Sequence, residues 1–312
     1  MNSKVTIVMY HYVRDLKNSR YPNIKGLETI NFEKQIEYLT TNYDIITMEE
    51  FIYAIEKKTK LPNNALLLTF DDGYIDHFTH VLPVLLKFNL QGTFFIPAGI
   101  RNENNILDVN KIHFILEKCN DIEILKADIF NLININRSQY HLEPFEYYYN
   151  KLAIANRFDT ADVIFVKRIL QAELNIELRK VILDKLFIKY VSVPENVFSN
   201  ELYLNINQIK AMVKCGMFVG AHGYNHFWHS KIDQNQQKIE IEKSINFLNE
   251  IGVDPIYRTY CYPYGSYNNV TIDLLKKFNF KCAFTTIPKI ADVKLFGNFE
   301  LPRFDTNDLP FC

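Results

Sequence analysis

The sequence predicts an α/β protein built on parallel strands, with a helical segment inserted in its middle. Two observations carry the parallel-strand reading: short continuous apolar runs alternate with amphipathic stretches, and the links between them are short. A third observation sets the middle apart. Between 102 and 205, charged segments of helical period follow one another with no strand between them.

In order along the chain, Val5–Tyr10 is a short, β-branched buried strand. Phe32, Ile36, Leu39 and Tyr43 recur at helical spacing, with Asn31 as the expected cap. Thr47 and Glu50 form a capping box ahead of Phe51, Ile52 and Ile55. Ala65–Phe70 reads as a buried strand running into Asp71-Asp72-Gly73, followed by a helix over Pro83–Phe88 and a strand over Gly92–Ile96. The helical insertion over 102–205 contains Asp121–Ile133, Thr160–Leu174 and Ile176–Tyr190. The α/β rhythm then resumes, so 1–101 and 206–312 make up the body. There, the helix Ile206–Lys214 ends at Gly216, and the strand Met217–Ala221 stops at His222. Ile241, Ile245 and Leu248 mark a helix closed by Gly252. The strands Arg258–Tyr262 and Cys282–Thr286 flank a helix at Val270–Phe278.

Composition excludes several classes. The 312 residues are 48% hydrophobic, enough for a large core and not for a disordered chain. A net charge of −1 offers no global field for nucleic acid or an anionic membrane. The five cysteines (Cys119, Cys215, Cys261, Cys282, Cys312) form no CxxC pair, which supports neither a disulfide framework nor a zinc ribbon. Val5–Tyr10 is too short for a signal-peptide core, and no run nears the roughly 18 apolar residues of a transmembrane segment. The expected location is cytoplasmic.

Chemistry concentrates at strand ends, where sites assemble in parallel α/β folds. Asp71 and Asp72 are costly after an apolar strand unless they bind a cation or accept hydrogen bonds; a turn with helix-capping aspartates also fits. His222 and His226 share one face if a helical turn begins there and then grip one metal; two ordinary loop histidines are the plainer reading. Tyr262-Pro263-Tyr264-Gly265 reads as a turn, or as a rigid wall with an accessible backbone N–H. His77 and His80 are expected on the exposed face of a helix.

Together, Thr69-Phe-Asp-Asp-Gly73, His222-x-x-x-His226 and Tyr262-Pro-Tyr-Gly265, in that order, resemble the polysaccharide deacetylase family (NodB homology, carbohydrate esterase family 4). Met9-Tyr-His11, Gln91-Gly-Thr-Phe-Phe95 and Leu301-Pro-Arg303 look like its surface-polysaccharide branch. The resemblance implies a distorted (β/α)7 barrel binding a divalent metal, most often Zn2+ (with Co2+, Ni2+ or Mn2+ as alternatives), and removing acetyl groups from N-acetylated sugars. Carried over by position, Asp72, His222 and His226 would hold the metal. Asp71 would be the general base toward a metal-activated water, and the Tyr264 N–H would stabilise the oxyanion. Tyr262, Pro263 and Gly265 would face the substrate. Three positions depart from the family pattern: Gly223 replaces a Ser or Thr, Cys261 replaces the arginine that partners the base, and no histidine follows His229 to serve as general acid. Arg303 is the proposed substitute for the arginine and His11 for the acid. The expected substrate is a nucleotide- or lipid-linked glycan precursor. An O-deacetylase, a small-molecule amidase and a degenerate glycan-binding protein are the competing readings.

Overall fold

The computed structural model describes residues 3–101 and 106–310; Cys312 and the start of the expected insertion lie outside them. The strands of the main sheet are β1 (Lys4–Tyr10), β2 (Asp44–Ile45), β3 (Ala65–Asp71), β4 (Thr93–Ile96), β5 (Phe218–Ala221), β6 (Thr259–Cys261), β7 (Cys282–Phe284), β8 (Ala291–Asp292) and β9 (Phe304–Asp305). Their order is β8-β1-β3-β4-β5-β6-β7, with β9 on β1 and β2 on β3. Only β8 runs antiparallel to its neighbour.

One short segment closes the ring. Leu301 bridges Phe284 of β7, and three residues later Phe304 pairs with Val8 of β1, both in parallel sense. The result is a distorted (β/α)7 barrel of β1, β3, β4, β5, β6, β7 and β9. Every residue of β3 is buried, as expected of a parallel strand covered on both faces. Leu67, Phe95, Cys261, Cys282, Phe284 and Leu301 share one buried cluster with Val5 and Ile7.

Local signals place most outer helices. The Thr47–Glu50 capping box forms and starts the helix Met48–Lys57. The preceding helix begins earlier than its pattern suggests, at Thr29 after Glu28. Leu27 and Glu28 pair with Val13 and Arg14, so strand pairing, not the Asn31 side chain, sets that start. The expected Pro83 helix spans Leu82–Lys87 and is preceded by a π-helical turn, His77–Val81.

The described residues divide into two compact units. Of the described residues, the barrel unit takes in 3–17, 25–101 and 199–310; the other takes in 18–24 and 106–198. In the second, helices such as Asp108–Lys118, Ile122–Tyr140 and Ile176–Tyr190 bury Phe114, Ile129, Ile182 and Phe187. No helix among the described residues is long and apolar enough to cross a membrane, and the described cysteines are free.

Candidate active site

The site residues gather at the C-terminal ends of the barrel strands. Asp71 ends β3, His222 follows β5, Cys261 ends β6, His11 follows β1, and Arg303 sits in the closing segment just before β9. Asp71 and Arg303 form a fully buried bidentate pair, with Nη1–Oδ1 at 2.9 Å and Nη2–Oδ2 at 2.7 Å. The same guanidinium donates to the Thr285 carbonyl, to Thr69 Oγ1 and to Cys261 Sγ. Burial alone would raise the Asp71 carboxyl, but the Arg303 guanidinium, with His222 nearby, holds it down at about 2. Burial pushes the Cys261 thiol up despite the same guanidinium, so Cys261 faces the pair as a neutral thiol.

Asp72 turns the other way because its backbone is left-handed, with φ of 75°. Its Oδ2 accepts from the Tyr74 hydroxyl at 2.6 Å. Its Oδ1 is buried without a hydrogen-bond partner and faces His222 Nε2 at 3.4 Å and His226 Nε2 at 3.2 Å. The two Nε2 atoms lie 3.2 Å apart. Burial would raise the Asp72 carboxyl, but His226 and His222 hold it well below the usual carboxylate range.

This triangle fits a metal. A tetrahedral ion bonded at about 2.0–2.1 Å to each N or O donor separates those donors by about 3.3–3.4 Å. The His222 Nδ1–H donates to the Cys261 carbonyl at 2.8 Å, which leaves Nε2 as the nitrogen that an ion would bind or displace a proton from. The histidines do not meet on a helical turn as the i, i+4 spacing suggests. Residues 222–228 are a loop, bent by left-handed Gly223 (φ 73°) and His226 (φ 59°).

The Tyr-Pro-Tyr-Gly turn adjoins this cluster. Tyr264 is left-handed, and its ring meets His226 edge-on at 4.6 Å and stacks on Trp228 at 4.8 Å. Gly265 is required, since a Cβ there would come within 2.4 Å of Thr286 Oγ1. Tyr262 corrects the sequence reading. It is fully buried, its hydroxyl donates to the Phe299 carbonyl, and its ring stacks on Tyr267, so it braces the turn and offers no free face to a substrate. Pro263 is buried as well. His11 Nε2 lies 3.9 Å from Asp71 Oδ2, with its side chain 40% exposed.

His77 is a second correction. It is fully buried among Phe70, Tyr74 and Phe94, and its Nε2–H donates to the His11 carbonyl. His229 is buried too, bonded to the Tyr260 hydroxyl at 2.6 Å, and burial pushes its pKa down to about 3. Sequence reasoning also missed Tyr74 and Glu240. Tyr74 lies beside the double aspartate, where its hydroxyl was a visible signal. Glu240 sits in an amphipathic helix and gives none.

A closed parallel barrel with carboxylates and histidines at its strand ends defines the class of the protein. The polysaccharide deacetylase family model matches residues 58–119 and 188–283, about half of the chain, and the chain belongs to that family. YxkH of Bacillus subtilis, named among the polysaccharide deacetylases, is 30% identical over 95 residues, which is 30% of this chain and 32% of that protein. The poly-beta-1,6-N-acetyl-D-glucosamine N-deacetylase of Staphylococcus aureus is 32% identical over 82 residues, 26% of this chain and 28% of that protein. The chain thus spans about a third or less of the length of the curated relatives it matches. The deacetylase PplD of Streptococcus pyogenes, solved with acetate, superposes with a TM-score of 0.59 at 18% identity, covering 99% of this chain and 94% of its own. IcaB of Ammonifex degensii gives 0.57 at 18% identity, covering 98% and 94%. At that identity the two structures speak for the fold.

Proposed function

We propose that the chain is a metal-dependent hydrolase that removes the acetyl group from the nitrogen of an N-acetylated sugar. The observation that carries this reading is the Asp72–His222–His226 donor triangle beside a separately ion-paired carboxylate, Asp71. These three residues hold the ion, and zinc suits two imidazoles and one carboxylate. When bound, a divalent ion polarises the acetyl carbonyl and lowers the pKa of a water to about 7.

The chain's own residues supply the rest. Asp71, kept ionised by Arg303, takes a proton from the attacking water. The Tyr264 N–H donates to the oxygen that becomes negative. The C–N bond breaks as the leaving nitrogen takes a proton from His11. The proton held on Asp71 then restores His11 across the 3.9 Å gap. Pro263 and Gly265 keep the Tyr264 N–H in place, with Tyr262 behind them.

The S. aureus relative's named substrate makes β-1,6-linked N-acetylglucosamine oligomers the first choice, with nucleotide- and lipid-linked N-acetyl sugars tested beside them. The assay follows acetate and free amine together, with zinc added. Equal release of both, lost in Asp71→Asn and after chelation, is the expected result. Acetate from O-acetylated sugars without amine would move the bond to an ester. No release from any of these by ion-loaded protein would overturn hydrolysis.

A further inference from the structure

We propose that Glu240, on the helix Gln234–Glu250, is a positioning residue that holds the His222–His226 loop in the shape a metal needs. This rests on the reading of Asp72, His222 and His226 as ligands. The loop has no regular structure, and its bend depends on two left-handed residues, one of them a histidine, where that conformation is unfavourable. Something outside the loop must hold it.

Glu240 does so from one side. Its Oε2 accepts from the N–H of Tyr224 at 2.9 Å and of Asn225 at 2.7 Å, and its Oε1 accepts from Asn225 Nδ2 at 2.7 Å. From the other side, Ala98 N–H and Gly99 N–H donate to the carbonyls of Gly223 and Tyr224, both at 2.9 Å. The backbone between the two histidines is therefore gripped through its donors and its acceptors. Glu240 is 2% exposed and stands on the core face of its helix with Ile241, Ser244, Phe247 and Leu248. An apolar residue would pack there without the cost of a buried carboxylate. Consecutive backbone N–H groups converging on one anion are what offset that cost.

Partners that orient metal ligands typically change affinity by about 10- to 100-fold when removed. Glu240→Gln keeps the volume and one oxygen for the two N–H donors, but removes the negative charge and sets its NH2 against the Nδ2 of Asn225. It is expected to weaken zinc binding by about that factor, measured by competition with a chromophoric chelator. Its circular dichroism should stay native, and acetate release should recover at saturating zinc. Ser244→Ala removes the hydroxyl that bonds the Glu240 carbonyl on the same helix and should leave zinc affinity unchanged. If Glu240→Gln does not fold, Asn225→Ala removes only the Nδ2 bond and should weaken zinc by about 2- to 10-fold. Wild-type affinity in the folded Glu240 variant, or an equal loss in Ser244→Ala, would overturn the positioning role alone. A wild-type protein that binds no zinc, cobalt or nickel would instead overturn the ligand reading on which it rests.

Discussion

In the helical unit, two buried cations are closed off by their partners. Lys111, 4% exposed, donates to Asp184 at 2.5 Å and Glu195 at 2.7 Å. Arg179, equally buried, donates to Asp108 at 2.8 Å and the Gln171 carbonyl at 2.6 Å. In the barrel, Arg303 and Asp71 are paired as well, with His11 3.9 Å from Asp71, but Asp72 keeps one oxygen without a hydrogen bond, aimed at two imidazoles. Burial of charge by itself therefore does not mark a site. A buried lone pair left open among groups of matching chemistry does; Glu117 Oε2 in the helical unit is also without a hydrogen bond, but its charged neighbour is Lys118 at 3.7 Å, and no imidazole faces it.

Four measurements break or sharpen this contrast. Arg303→Met strands the Asp71 carboxylate, whose other neighbours are the Cys261 thiol, His222, and His11 at 3.9 Å. It should cost about 3–5 kcal/mol in urea unfolding and abolish acetate release. A loss under 1 kcal/mol would mean that the pair is not closed as described. Asp72→Asn should instead remove the stabilisation by zinc, about 2.7 kcal/mol at a hundredfold excess over Kd. A zinc-induced rise in Tm equal to wild type would show that the open oxygen is not a ligand.

Lys111→Met, in the helical unit, is expected to cost about 1–3 kcal/mol. The loss is smaller because the partner side chains of Asp184 and Glu195 are 35% and 24% exposed and can rehydrate. Zinc affinity and kcat should match wild type; a change in either would tie this unit to the chemistry. The last measurement concerns pH. His229 titrates at about 3 when folded and near its ordinary 6.5 when unfolded, so below 6.5 the unfolded chain binds the extra proton. Its contribution to stability is complete above pH 6.5 and lost as pH falls toward 3. His229→Gln should show a shallower fall in Tm across that window, and an identical slope would rule this contribution out.

Much of the barrel was legible because its signals are local. The apolar run of β3 can only be a strand covered on both faces, and the Thr47–Glu50 box caps its helix with side chains three residues apart. The start of the helix at Thr29 was not legible, since it depends on Leu27 and Glu28 pairing with Val13 and Arg14. The spacing of His222 and His226 suggested a helical turn, whereas a glycine and a histidine in left-handed conformation bring the rings together. His77 reads as a surface histidine only until Phe70, Tyr74 and Phe94 are packed around it.

By itself, the sequence determined the strand–helix alternation, the strand ends at which Asp71, Asp72, His222 and Tyr262 stand, and the membership that their order and spacing encode. These follow from periodicity and from residue chemistry, which act over a few neighbours. The family resemblance proposed Arg303 as the partner of Asp71, and tertiary structure supplies the contact, because closure of the ring through Leu301 and Phe304 carries it there. Tertiary structure alone decided which oxygen of Asp72 is left open and that Glu240 grips the histidine loop. Each depends on where distant strands and helices meet, and no local pattern in the chain reports that.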